Sequence, residues 1–481
     1  MLTVLCSSLL LVAMDATILN VALPLLIDDL HPSALQQLWI IDTYGLVLGG
    51  LLITTGALGD RFGRKRMFLW GIAIFGVASV AAATANGPQQ LIAGRALLGI
   101  GGAMIMPSTL SLIRNIFADD RERALAIAVW AAVAGAGAAI GPLVGGVLIE
   151  AYGWSAAFWI NVPVVAVTVV AGLRLLPEFK DAHHEQVDWL SALLSIAGIV
   201  WLAWGIKAVF KGRLQPSDLA VLVCGVLALT WFARRQLKRE DPLLDVRLFK
   251  NRAFTAAALT TFMAMLAIGA ALFLLSLWLQ YVQGYSPFQA GLRTVPAAAA
   301  MLAGALVCPW LLERIGVRKV MATGLCGLIA GFALLAFTPG PLSYLLVALV
   351  LVSCGLGDGL AITASATTLV SAVPAERAGQ AGAVSETSYE LGVALGVALL
   401  GSIHAAVYTG GMGGWPSQAR ESIGGARESQ QTHGGAVLDA AREAFNVALN
   451  TTAYVSVGIV TSVTLLVVWL VPHDFEATSE H

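Results

Sequence analysis

Long apolar runs recur along the whole 481-residue chain, separated by short turns that hold most of its charge. A helix that crosses a bilayer needs about 20 predominantly apolar residues, and fourteen runs reach roughly that length. Their approximate limits are 2–24, 38–58, 67–86, 88–112, 122–149, 156–176, 187–209, 218–237, 253–282, 288–311, 318–338, 341–370, 379–408 and 445–472. Because backbone polar groups in lipid must pair within their own segment, such runs predict helices. We therefore expect an all-α integral membrane protein with fourteen transmembrane helices.

The composition agrees with a membrane protein and excludes several other classes. Hydrophobic residues make up 58% of the chain and charged residues only 12%, against about 25% charged residues in soluble domains. The net charge of -1 gives no electrostatic case for binding nucleic acid. The first apolar run lacks the cleavage pattern of a signal peptide, so we interpret it as the first spanning helix.

Neither a metal site nor a cofactor site is predicted. The five cysteines lie in apolar segments without paired spacing, the seven histidines form no ligand pattern, and no phosphate-binding loop is present. We therefore expect no cofactor and no enzyme activity, and a proton gradient, not ATP hydrolysed by this chain, as the source of energy for any uphill movement.

The turn between the second and third runs reads GALGDRFGRKR and spans residues 56–66. Its glycines allow two helix ends to approach closely, and Asp60 can accept hydrogen bonds from a neighbouring helix N-terminus. Arg61, Arg64 and the following cations hold the turn on the cytoplasmic side. The spacing resembles the loop between the second and third helices of the major facilitator superfamily.

The basic residues also orient the chain. If the N-terminus lies in the cytoplasm, most of the 28 lysines and arginines fall in loops on the cytoplasmic side. This bias predicts a multi-pass protein of the cell (inner) membrane with both termini in the cytoplasm. Lys207, at the end of the seventh run, is counted with the loops of the opposite side.

An internal repeat divides the chain. The segment LLERIGVRK, residues 311–319, matches the basic turn when shifted by 253 positions. We therefore predict an N-terminal six-helix bundle (1–176), a two-helix insertion with a cytoplasmic amphipathic linker (177–252), and a C-terminal six-helix bundle (253–481). An external loop, whose structure the sequence leaves open, is expected at 409–444. Two related halves around a central cavity form a transporter architecture.

Three further motifs strengthen the family resemblance. The segment MDATILNVALP (14–24) resembles the first-helix motif of the branch of 14-helix drug:proton antiporters. The segment LIAGRALLGIGGA (91–103) resembles the fourth-helix motif that carries an arginine, here Arg95, although Leu98 replaces the usual Gln. The resemblance implies that Arg95 locks helices together or couples protons.

The third motif, GAGAAIGPLVGG (135–146), resembles the fifth-helix motif of antiporters. Glycines at 137, 141 and 145 share one helix face, so a second helix can pack closely there, and Pro142 can bend the helix. The resemblance implies that Gly141 and Pro142 serve the conformational change of alternating access. Plain close packing explains the glycines equally well.

Acidic residues within the runs are the candidate functional groups, because a charge in the membrane is costly and by default marks function. Asp15 lies in the first run, Asp42 near the end of the second run that faces away from the cytoplasm, and Asp358 midway along the twelfth. Glu386 and Glu390 are four residues apart on the thirteenth and share a helix face. Two of these acids also have explanations that need no role in transport. Asp42 could be solvated at the membrane interface, and Asp358 could pair with an arginine for structural reasons.

Two carboxylates on one face in a low dielectric do not both ionise easily, so one is expected to hold a proton near neutral pH. The segment SETSYELG (385–392) resembles helix 13 of exporters for quaternary ammonium compounds and methyl viologen, which implies a role in cation recognition. Tyr389 between the glutamates, and Trp39 and Tyr44 beside Asp42, could add cation–π attraction.

These features predict a proton-coupled multidrug efflux antiporter for lipophilic organic cations such as quaternary ammonium compounds, dyes and viologens. Its expected partners are cationic drugs, protons and the lipid bilayer, and we expect a monomer. One alternative is an exporter of an anionic or zwitterionic metabolite or a siderophore, with Arg95 and Arg293 as ligands. Another is a membrane sensor that transports nothing.

Overall fold

The computed structural model describes residues 1–117, 119–179, 188–209, 215–239, 242–338, 342–373 and 378–472. The described residues form helices joined by short turns, with no strand among them. The α-helices are α1 (Leu2–Leu30), α2 (Ala34–Phe62), α3 (Arg64–Ala83), α4 (Pro88–Ile116), α5 (Asp120–Tyr152), α6 (Ala156–Trp159), α7 (Asn161–Leu175), α8 (Trp189–Val209), α9 (Pro216–Lys238), α10 (Arg252–Leu277), α11 (Pro287–Ile315), α12 (Val317–Phe337), α13 (Tyr344–Ser371), α14 (Ala378–Gly411), α15 (Ser417–Glu421), α16 (Ile423–His433) and α17 (Gly435–Leu470).

Twelve helical segments in the described part of the chain are long and apolar enough to cross a membrane, with α6 and α7 together forming one of them. The helices α2 and α5, of 29 and 33 residues, run beside these segments. The fourteen predicted runs match these helices in order, so the predicted count is compatible with the structure. The chain is an all-α, multi-pass membrane protein.

The repeat at 253 positions is visible in the backbone. The helices α2 and α11 both have 29 residues and begin at equivalent positions. Each starts with a capping box, formed by Ser33 with Gln36 in α2 and by Ser286 with Gln289 in α11. Such boxes satisfy the free N–H groups of the first turn, so the same local sequence starts both helices.

The helix contacts follow the same repeat. In the first half α1 packs on α5, and α4 packs on both α2 and α3; in the second half α10 packs on α14, and α13 packs on both α11 and α12. The halves meet along two seams, α2 with α14 and α5 with α11. The inserted helices α8 and α9 pack on each other, and α8 also contacts α2 and α14 at the first of these seams.

The glycine face of α5 packs against α1, as the motif predicts. A Cβ atom at Gly137 would lie 2.9 Å from the Cβ of Ala13, and one at Gly141 would lie 3.1 Å from the Met14 carbonyl oxygen. The helix continues through Pro142 without ending. The glycines therefore bring two helix backbones close together, as small residues do in membrane proteins.

The segment 409–444, the expected external loop, contains short helices. Helix α14 extends to Gly411, the short helices α15 and α16 follow, and α17 begins at Gly435, ten positions before the predicted run. Ser422 caps α16 by accepting a hydrogen bond from the Gly425 N–H at 3.1 Å. These helices are polar and lie outside any apolar run, so the sequence left the structure of the segment open. We name the end of the bundle that carries α15 and α16 the hairpin face. The opposite end, which carries residues 61–66, is the basic face.

Candidate functional site

A cavity lies between the two halves, near the middle of the bundle. It contains about 1290 Å³ of empty space, including the part open to solvent. Helices α1, α2, α4 and α5 line it on one side, and α10, α11, α13 and α14 line it on the other. These are equivalent helices of the two repeats, so the cavity lies on the pseudo-symmetry axis, where transporters of this architecture bind substrate.

Asp15 lies behind the cavity wall and pairs with Arg95. The Arg95 guanidinium donates to the Asp15 carboxylate, and the two side chains are 1% and 0% exposed. Asn161 on α7 donates to the other Asp15 oxygen at 3.5 Å and to the Ser79 hydroxyl at 3.1 Å. Arg95 is part of the cavity wall, whereas Asp15 is not. The sequence placed Asp15 in the binding site; in this conformation its charge is balanced by Arg95.

Arg95 also connects α4 to α2. Its Nε donates to the Ile40 carbonyl at 3.1 Å, and its guanidinium lies 4.5 Å from the ring centroid of Tyr44. The Tyr44 hydroxyl in turn donates to the Val12 carbonyl of α1 at 3.0 Å. Arg95 thus joins three helices through one buried network. Leu98, at the position where the family motif has Gln, is fully buried one turn further along α4.

Asp42 lines the cavity and forms a second buried ion pair. The Lys207 ammonium of α8 lies 2.8 Å from its carboxylate, and the two side chains are 1% and 0% exposed. The same ammonium lies 3.6 Å from the Trp39 ring centroid. Lys207 was expected at a loop, but it lies inside the bundle. The signal that could have found it is a lone lysine within an apolar run.

Asp358 is a fully buried carboxyl group with no hydrogen-bond or ion-pair partner among the described residues. It belongs to the cavity wall. The neighbouring glycines hold α13 tightly between α11 and α12: a Cβ at Gly359 would lie 2.9 Å from the Met301 carbonyl carbon, and one at Gly357 would lie 2.8 Å from the Leu328 nitrogen. The predicted structural arginine partner is not found in the described part of the chain.

Glu390 and Tyr389 line the same cavity, whereas Glu386 does not. Glu390 is 8% exposed and packs against α2, where a Cβ at Gly49 would lie 3.0 Å from its own Cβ. Within the described residues Glu390 has no ion-pair partner. Among the described residues, the wall thus contains two carboxyl groups without a charged partner, those of Asp358 and Glu390, together with Tyr389.

The basic turn is a compact corner. Gly63 ends α2 with a φ of 104°, and its N–H donates to the Gly59 carbonyl at 3.0 Å. Glu178 accepts a hydrogen bond from the Lys65 N–H at 3.0 Å and lies 3.7 Å from Arg66. Arg61 and Arg64 are part of this corner; Arg64 donates its backbone N–H to the Phe179 carbonyl at 2.9 Å. The Asp60 side chain lies outside the described part of the structure.

Contacts at the hairpin face join the two halves. The Ser276 hydroxyl donates to the Asn20 carbonyl at 2.7 Å, and the Tyr281 hydroxyl donates to the Pro24 carbonyl at 3.0 Å. Ser286 donates to Glu150 at 2.9 Å. Arg427 of α16 lies 3.6 Å from Asp28 of α1. The halves are therefore in direct contact between the cavity and the hairpin face.

Arg293 lies away from the cavity wall. Its guanidinium donates to the Gln289 carbonyl at 3.1 Å and lies 3.7 Å from the Tyr285 ring centroid. The alternative in which Arg95 and Arg293 bind an anion therefore loses both ligands, because Arg95 is neutralised by Asp15 and Arg293 does not reach the cavity.

The family model of the Major Facilitator Superfamily matches residues 5–397, so the chain belongs to this superfamily. The superfamily consists of transporters and is not an enzyme class. The chain is 41% identical to the multidrug efflux pump LfrA of Mycolicibacterium smegmatis, over 95% of this chain and 92% of LfrA. It is 36% identical to the methyl viologen resistance protein SmvA of Salmonella typhimurium, over 90% of each chain.

The fold is also that of solved transporters. A bacterial homologue of the human lysosomal transporter Spinster superposes with a TM-score of 0.69 at 17% identity, covering 98% of this chain and 96% of the homologue. The predicted superfamily and the predicted kinship with methyl viologen resistance exporters are thus confirmed.

Proposed function

We propose that this protein is a proton-coupled antiporter that exports lipophilic organic cations from the cell. The relatives named above are a multidrug efflux pump and a methyl viologen resistance protein, which supports this class of substrate. The positive charges of residues 61–66 favour a cytoplasmic basic face in a cell (inner) membrane, with both termini on the same side. Energy would come from the proton gradient, without a cofactor.

The observation that carries the proposal is that two carboxyl groups in the wall of the central cavity, those of Asp358 and Glu390, have no charged partner among the described residues. A buried carboxyl group without a partner is far less costly when it carries a proton. An organic cation in the cavity supplies the missing positive charge, so the proton can leave. Protons and cations therefore compete for the same groups, which is the requirement for exchange.

The aromatic rings at the cavity suit a cation that cannot donate hydrogen bonds. Tyr389 lines the wall, and its ring can attract a quaternary ammonium group by about 0.5–2 kcal/mol. Tyr44 also lines the wall, but its ring already lies 4.5 Å from the Arg95 guanidinium. Glu386 lies one helix turn before Glu390 and outside the wall, so it acts on the cavity only through its electrostatic field. Asp42 faces the cavity with its charge balanced by Lys207.

The remaining predicted residues serve the conformational change in this proposal. Gly141 and Pro142 lie where α5 contacts α1 and α11, and the corner with Asp60, Arg61 and Arg64 joins α2 to α3 at the basic face. The division at 1–176, 177–252 and 253–481 then separates two rocking bundles from an insertion. A monomer suffices, because one chain supplies the whole cavity.

Substrate-triggered proton release from purified protein tests the proposal. Methyl viologen and tetraphenylphosphonium should release protons from the parent protein, and Glu390→Gln or Asp358→Asn should abolish release and vesicle counterflow. Glu386→Gln should reduce both much less, because Glu386 lies outside the wall. Glu443→Gln, an exposed glutamate on α17, is the matched control for expression and insertion. Unchanged transport and proton release after Gln at 390 and Asn at 358 together would refute the assignment.

A further inference from the structure

The inserted helix α8 places a positive charge directly behind the cavity. Lys207 is two residues from the end of its helix, at Val209, so its long side chain could reach solvent at the hairpin face. It turns inward instead, with its side chain 1% exposed and its ammonium 2.8 Å from the Asp42 carboxylate. Helical side chains lean toward the N-terminus of their helix, which directs Lys207 toward the middle of the bundle.

The ammonium occupies a small cage with the chemistry of a cation site. The Asp42 carboxylate lies on one side, and the Trp39 ring centroid lies 3.6 Å from Nζ on another. Trp204, one turn earlier on α8, packs against Trp39 with 5.6 Å between ring centroids. A carboxylate beside an aromatic face would also bind an exported organic cation. The chain therefore fills this cage with a cation of its own.

Asp42 stands between Lys207 and the cavity. Asp42 belongs to the cavity wall, whereas Lys207 does not. Arg95 likewise balances Asp15. After these two pairs are counted, only Asp358 and Glu390 remain as unpaired acids among the described wall residues. Lys207 thus decides whether a cation in the cavity meets two acids or three.

We infer that Lys207 is a specificity-determining positioning residue: as a fixed counter-ion of Asp42 it limits the negative charge of the cavity and sets the preference between monovalent and divalent organic cations. This inference rests on the proposed function and deepens it. It also gives the two-helix insertion a role in transport, through α8 and its contact with α2 and α14.

Binding of two probes to purified protein in detergent tests the inference: methyl viologen as the divalent cation and tetraphenylphosphonium as the monovalent one. Lys207→Met exposes the Asp42 charge, so it should raise the affinity ratio of divalent to monovalent probe by about tenfold. Asp42→Asn leaves the Lys207 charge unbalanced and should lower the same ratio. The double variant removes both charges and should return the ratio to that of the parent, and Lys207→Arg should keep it there.

A purely structural ion pair gives a different pattern. Both single variants would then weaken the binding of both probes in the same direction, with an unchanged ratio, and the double variant would restore folding only. Should Lys207→Met fail to fold, the lowered ratio of Asp42→Asn and its recovery in the double variant still decide the matter. If the parent binds both probes and its variants have the same affinity ratio as the parent, this inference alone is overturned. If the parent binds neither probe, the proposed function is overturned as well.

Discussion

Gly63 and Gly316 lie 253 positions apart and end equivalent helices with the same unusual backbone. Their φ angles are 104° and 77°, and each N–H donates to the carbonyl four residues earlier, Gly59 at 3.0 Å and Leu312 at 3.1 Å. Such angles combined with an extended ψ are essentially restricted to glycine. The repeat therefore preserves the corner geometry between two helices as well as the pattern of charges.

The corners at Gly63 and Gly316 share a backbone conformation but differ in the atoms around them. Alanine substitutions at the two positions therefore form a matched pair of variants. Gly316→Ala meets no atom within 4 Å, so it should cost only backbone strain, about 1–3 kcal/mol. Gly63→Ala bears the same strain and also brings a methyl group to 2.7 Å from the Glu178 carboxyl carbon. The Glu178 carboxylate is the flexible end of its side chain and can move aside, so the added cost is the loss of its hydrogen bond with the Lys65 N–H. We therefore expect thermal unfolding in detergent at a slightly lower temperature for Gly63→Ala than for Gly316→Ala. Equal losses would contradict a structural role for Glu178 at this corner.

The buried pair of Asp15 and Arg95 predicts non-additive effects on stability. Arg95→Met or Asp15→Asn leaves one buried group without its partner, and breaking such a pair costs about 3–5 kcal/mol. The double variant removes both groups and should unfold at a temperature nearer to the parent than either single variant. Thermal unfolding of the four proteins completes the double-mutant cycle. A double variant as unstable as the sum of both singles would show that the two side chains act independently.

The seam between α5 and α11 predicts how the hairpin face opens. A Cβ at Gly146 would lie 2.6 Å from the Cα of Phe288, so Gly146→Ala should push the two helices apart. A cysteine introduced at Ala298, in the cavity wall, should then react several-fold faster with an impermeant thiol reagent added from the hairpin face. Gly435→Ala is the control, because nothing lies within 4 Å of its Cβ position. Equal labelling rates for the parent and Gly146→Ala would argue against this seam as the closing contact.

Asp188, at the start of α8, predicts a pH-dependent contribution to stability. Burial alone would raise its pKa, but hydrogen bonds from Arg235 and Ser191, together with the charge of Arg239, lower the pKa of Asp188 to about 2. A lowered pKa in the folded state stabilises the protein above the unfolded pKa of about 3.9, by about 2 kcal/mol, and this stabilisation disappears as the pH falls toward 2.

Asp188→Asn should therefore unfold more easily than the parent at pH 7, and the difference should shrink below about pH 4. Unfolding temperatures between pH 3 and pH 7 measure this difference. Asp218→Asn is a suitable comparison, because this partly exposed aspartate lies in the first turn of α9. A parent and an Asp188→Asn variant that differ equally at pH 3 and pH 7 would contradict the assigned interaction.

Much of the architecture follows from the sequence because its determinants are local. Apolar length predicts the spanning helices, and the motifs at 33–36 and 286–289 or at 59–63 and 312–316 specify where equivalent helices begin and end. The glycine spacing of α5 predicts a close helix neighbour, and the structure identifies α1 as that neighbour. The polar helices α15 and α16 carry no apolar run, so the sequence left the structure of that segment open.

The state of each membrane acid was decided only by tertiary structure. In the sequence, five acids look alike because each lies within an apolar run: Asp15, Asp42, Asp358, Glu386 and Glu390. Packing gives the first two basic partners, leaves Asp358 unpaired in the described structure, and turns only one of the two glutamates into the cavity wall. The sequence by itself determines which segments enter the membrane, since burial of apolar surface and backbone pairing are properties of one helix. Which charges are balanced depends on which helices become neighbours. The partners of an ion pair are far apart in the chain, so they meet only when the bundle is assembled.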